Sequence, residues 1–114
     1  MDVVITGVDT EKGILLCNNN VEFYLTILKK FRRNYSSFKV DFIAAVDLND
    51  AGEAFRLSHS LSSVLAAIGA SESLVLAQKL ESMCNNNVSL TDVYNCLNML
   101  SSNLDDIMDQ IKDL

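Results

Sequence analysis

Apolar residues recur at three- and four-residue intervals along most of the chain, the spacing that places them on one side of a helix. From Val21 to about Tyr35 the positions Phe23, Tyr24, Ile27, Leu28 and Phe31 predict an amphipathic helix of about four turns. Ahead of it, Asp9-Thr10-Glu11-Lys12-Gly13-Ile14-Leu15-Leu16-Cys17 sets a capping residue and acids before an apolar triplet. It reads as a short first helix that Asn18-Asn19-Asn20 ends. Ser36-Ser37 breaks the next pattern, and Phe38, Phe42, Ile43, Ala45 and Val46 predict a short helix closing at Asp47-Leu48-Asn49-Asp50. With Asp50 as cap, a central helix of about five turns follows. Its inner face carries Ala51, Ala54, Phe55, Ser58, Leu61, Ser62, Leu65 and Ile68, and it ends near Gly69. A further helix runs from Ser71 to Met83 on Leu74, Val75, Ala77 and Leu80. The last begins at Ser89, with Asp92 as an acidic form of the capping box, and continues through Val93, Leu97, Leu100, Leu104, Ile107, Met108 and Ile111. Stripes this wide must be covered, so the expected fold is all-α: one domain over residues 1–114, an antiparallel four-helix bundle with an additional short N-terminal helix.

Composition supports this reading and narrows the function. With no proline, no tryptophan and four glycines in 114 residues, turn punctuation is too sparse for a sandwich or barrel. Nine basic residues against fifteen acidic ones leave a net charge of −6, the wrong sign for a protein that neutralises phosphates, so nucleic acid is not an expected partner. No apolar run reaches the ~18 residues of a membrane span, and Met1-Asp2-Val3-Val4-Ile5 has no basic region of a signal peptide. The expected location is cytoplasmic, with no membrane partner. Cys17, Cys84 and Cys96 form no C-x-x-C pair and are expected to be reduced fillers of apolar gaps. Met83, Met99 and Met108 are expected core fillers. The basic run Lys29, Lys30, Arg32, Arg33 reads first as a solvated helix end, and Asp105, Asp106, Asp109 and Asp113 as a solvated face. Cys-Asn-Asn-Asn-Val occurs at 17–21 and again at 84–88. Both copies read as turn chemistry, since asparagine tolerates left-handed backbone and caps helices.

The chemistry rests on the single histidine. With Ser58 at the centre of the inner face, His59 is turned by about 100° to its margin, beside Gly52 and Ser63. A ring there is open to solvent yet rooted in packed helix, and a neutral imidazole near pH 7 is nucleophilic without a triad. Phe55, Arg56, Ser62 and Ser63 stand one turn away and control access and charge. The chain contains no phosphate-binding glycine loop, no H-E-x-x-H and no G-x-S-x-G motif.

His59-Ser60-Leu61-Ser62-Ser63-Val64-Leu65-Ala66-Ala67-Ile68-Gly69-Ala70, followed by Leu74, Ala77 and Leu80-Glu81, resembles the histidine-containing phosphotransfer (HPt) family of two-component phosphorelays. The likeness extends back through Phe23-Tyr24-Leu25, Leu28 and Phe31 to Gly7-Val8-Asp9 and Gly13-Ile14. The family pattern reads roughly H-x-L-K-G and then I/L-G-A; this chain keeps His59, Leu61, Ile68, Gly69 and Ala70 but has Ser62 for the lysine and Ser63 for the glycine. In the family that lysine helps hold phosphoryl oxygens and the glycine leaves room at the ring. Arg56 is then the expected substitute for the missing positive charge, being well shaped for phosphate oxygens. The resemblance implies that His59 accepts a phosphoryl group from a receiver-domain aspartate and passes it to a response regulator, so the chain is a carrier and not an independent enzyme. It implies receiver domains as partners, with a hybrid sensor histidine kinase beside them, and no cofactor or metal on this chain, Mg²⁺ being expected on the receiver. The alternative is a degenerate HPt-like adaptor that binds receivers without efficient transfer because of Ser62 and Ser63.

Overall fold

The computed structural model describes residues 3–114; Met1 and Asp2, where the signal-peptide reading starts, lie outside the described residues. Six helices follow one another: α1 (Thr10–Leu16), α2 (Val21–Tyr35), α3 (Phe38–Asp47), α4 (Ala51–Ile68), α5 (Ser71–Cys84) and α6 (Leu90–Ile111). Four of these, α1, α2, α4 and α6, start where a side-chain oxygen satisfies a free backbone amide. Asp9 accepts from Lys12 N–H, Asn20 from Phe23 N–H, Asp50 from Glu53 N–H and Ser89 from Asp92 N–H, at 3.0–3.2 Å. Gly69 ends α4 in the left-handed region at φ 85°, where a side chain would be strained.

Helices α2, α4, α5 and α6 each pack on two neighbours and close a ring, the four-helix bundle that the apolar stripes demand. Hydrogen bonds fix the direction of the first pair: the Tyr24 hydroxyl donates to Ile68 C=O at 2.7 Å, and Tyr35 and Ser60 hydroxyls meet at 2.8 Å, so α2 runs antiparallel to α4. The short α3 follows α2 and packs on α4 and α6, joining the bundle as a second short helix. The core is Tyr24, Leu28, Phe31, Phe42, Leu61, Leu65, Leu80, Leu97, Leu100 and Ile107, all at most 2 % exposed. Each such side chain contributes about 1.5–3 kcal/mol relative to exposure. Small residues line the α4 side of the α4–α5 seam: Ser58 and Ser62 are buried, and the Ser58 hydroxyl lies 4.0 Å from the Cys84 sulfur of α5.

The core expectations hold for most positions and fail at the edges of the stripes. Phe23, Val75 and Met99 are more than half exposed. Phe23 and Val75 sit one residue, about 100°, away from the buried Tyr24 and from the packed Leu74, and Met99 is likewise one residue from the buried Leu100. Each stripe is wider than the groove that receives it. Cys17 and Cys96 are buried, Cys84 is partly so, and all three are free thiols. The two Cys-Asn-Asn-Asn-Val copies differ: Asn18 and Asn19 adopt positive φ and Asn20 caps α2, whereas 85–87 contain no left-handed residue. Among the described residues no helix is long and apolar enough to cross a membrane.

Candidate functional site

His59 sits near the middle of α4, on the face left open between α2 and α5. Its side chain is 64 % exposed, while the preceding Ser58 is fully buried and donates to Ala54 C=O at 2.9 Å. The backbone under the ring is thereby part of the core. Two neighbours then restrict the ring itself. Phe55, one turn earlier, stacks on it with centroids 5.8 Å apart and planes 11° from parallel. From α5, Glu81 holds ring nitrogen Nδ1. A carboxylate can only accept, so in the neutral imidazole the contact places the ring proton on Nδ1 and the lone pair on Nε2. Nε2 has no hydrogen-bond partner among the described residues.

The other sequence-selected residues take three different positions. Ser62, for the family's lysine, is 7 % exposed, and its hydroxyl donates to Ser58 C=O at 2.9 Å. It therefore faces the α4–α5 seam. Ser63 lies on the open face and donates to His59 C=O at 3.2 Å. Arg56 is exposed, but its guanidinium is taken by Glu53: Nε donates to Oε2 at 3.0 Å and Nη2 to Oε1. That hydrogen bond holds the Glu53 carboxyl below its ordinary value and raises Arg56. The structure thus brings Phe55, Ser63 and His59 together on one face, keeps Arg56 one turn away on a different partner, and turns Ser62 inward.

Glu81 and Glu53 are the residues that reading the chain by itself passed over. Glu81 lies in the Leu80-Glu81 pair of the family pattern, but its meeting with His59 crosses from α5 to α4, which helical periodicity cannot show. Glu53 was visible in principle as an i, i+3 partner of Arg56. Close by, burial pushes the Cys84 thiol up, and its sulfur lies 4.0 Å from the Ser58 hydroxyl. A thiol so held keeps its proton, and the thiol is a weaker nucleophile than the thiolate.

No curated protein matches the chain, and no solved structure matches it. A family model, described as the Hpt domain, matches residues 26–114. That span runs from the second turn of α2 to the last residue and contains α3 to α6 whole, with the His59 face. The chain therefore belongs to the Hpt domain family, phosphocarrier modules that act with receiver domains in phosphorelays.

Proposed function

We propose that this chain carries a phosphoryl group on His59 between receiver-domain aspartates. The observation that supports it is the imidazole held through Nδ1 by Glu81, with Nε2 free on an exposed face of a rigid helix. In the forward step the Nε2 lone pair forms a bond to phosphorus as the P–O bond of the aspartyl phosphate breaks, its electron pair leaving with the aspartate carboxylate. The ring keeps its Nδ1 proton and becomes a phosphorylated imidazolium, whose positive charge the Glu81 carboxylate offsets across the hydrogen bond. Transfer to a second receiver reverses the same bond changes, so the proton on Nδ1 never moves. The chain supplies the nucleophile, its orientation and a docking face. Mg²⁺ belongs, on this reading, to the receiver.

The two serines favour a second reading, an adaptor that binds receivers without efficient transfer. Ser62 brings no charge and its hydroxyl is engaged with Ser58, so no cation replaces the family's lysine at that position. One experiment separates the two. The protein and a His59→Gln variant are each incubated with a ³²P-labelled receiver. A carrier gives label that is stable in alkali, labile in acid and missing from the variant. Binding of equal strength by both proteins with no label on either establishes the adaptor. No binding and no label overturns both.

A further inference from the structure

Glu53, Arg56 and His59 follow one another at three-residue spacing along the open side of α4. Arg56 is the one cation within a helical turn of His59 on that helix, and Ser62 at the family's lysine position supplies none. Yet Arg56 gives two donors to the two oxygens of Glu53, a bidentate arrangement that matches its planar fork. Glu53 is itself anchored, its backbone N–H bonded to the Asp50 cap at 3.0 Å. Glu81 draws Nδ1 toward α5. At about 100° per residue Arg56 and Ser63 stand on the same side of His59, the side opposite the inward-turned Ser62.

We propose that Glu53 is a positioning residue that holds Arg56 in reserve, and that Arg56 exchanges this carboxylate for the phosphoryl oxygens when His59 is phosphorylated. The inference rests on the phosphocarrier reading and adds a control to it. The phosphoryl group bears nearly two negative charges against one on Glu53, so exchange is favourable, but Glu53 competes and sets how readily His59 takes up the group. Both side chains are exposed, so the competition is worth a few-fold in rate and no more.

Phosphoramidate tests this without a receiver: its P–N bond breaks, ammonia leaves, and Nε2 forms the new N–P bond. At low ionic strength Glu53→Gln is expected to be phosphorylated about two- to threefold faster than the parent, the scale of an exposed ion pair. Glu53→Asp should return the parent rate. In an Arg56→Gln background the Glu53→Gln change should have no effect, which separates release of Arg56 from simple loss of a charge that repels the anionic donor. Melting temperatures recorded in parallel identify a purely capping role, which would shift stability and leave the rate alone. An unchanged rate in Glu53→Gln, or an equal acceleration with and without Arg56, overturns the proposal while the carrier reading stands. A parent that takes no phosphoryl group on His59 from phosphoramidate or from a receiver overturns both.

Discussion

Helix α4 passes through two regions built on opposite terms. At its C-terminal end, where α1 lies across it, there is no spare space. A Cβ on Gly13 would come within 2.3 Å of the Tyr24 ring and 2.7 Å of Ile68 C=O. One on Gly69 would come within 2.3 Å of Asp9 C=O. Tyr24 is fully buried, its hydroxyl spent on Ile68 C=O. In the middle of the same helix the His59 face is open, its side chains are held by a few surface contacts, and its ion pair is exposed. The first region gives the helix its fixed position and the second uses that position. Chemistry on a surface ring needs no pocket of its own when the backbone beneath it cannot move.

Substitutions can break the comparison from either side. The largest effect is expected of His59→Gln, which on the proposed function should remove phosphorylation completely while leaving the melting temperature within about a degree or two of the parent, because the ring is surface-exposed. A several-degree loss of stability would mean that the open face is also structural. Gly13→Ala is its opposite: overpacking against Tyr24 and Ile68 costs about 1–3 kcal/mol, read as a fall in urea midpoint. The folded fraction of the variant should still be phosphorylated at the parent rate. Loss of rate in the folded protein would show that the corner also shapes the site.

Tyr24→Phe is next, leaving Ile68 C=O without its donor at a cost of about 1–3 kcal/mol. It carries a pH signature as well. Burial pushes the Tyr24 phenol up to about 12 from its ordinary 10. The folded protein therefore keeps a proton that the unfolded chain has released. The stabilisation is complete below pH 10 and is lost as pH rises from 10 toward 12. Urea midpoints across that window should fall more steeply for the parent than for Tyr24→Phe. Equal slopes would assign the alkaline instability elsewhere.

The smallest effect is expected at Ser62. Its hydroxyl bonds the carbonyl one turn back and makes no hydrogen bond to the ring, so Ser62→Ala should change stability by no more than about 0.5 kcal/mol. Its rate of phosphorylation by phosphoramidate should match the parent. A several-fold drop would return Ser62 to the site.

Much of this was legible along the chain, because helices are local. Asp9, Asn20, Asp50 and Ser89 were readable as caps, and Gly69 as a stop, from the physics of free amides and left-handed backbone. His59 at the margin of a buried stripe followed from periodicity, and it stands there. Two kinds of fact were not local. Phe23, Val75 and Met99 share the apolar spacing of the core yet stay exposed, since the width of a groove belongs to the neighbouring helices. The repeated Cys-Asn-Asn-Asn-Val takes two conformations. The first copy must reverse the chain at once and cap α2, while the second has Val88 and Ser89 still to come before α6 begins.

The sequence by itself determined six helices, their limits and one imidazole at the margin of a buried stripe, because hydrogen bonding and periodicity within a helix depend only on nearby residues. Tertiary structure alone decided which groups from other helices meet that ring. Glu81 arrives from another helix, Ser62 is turned inward by the seam with α5, and the room for Gly13 is set by Tyr24 and Ile68, far along the chain. Contacts between helices depend on how they are placed against one another, and that placement is a property of the whole core.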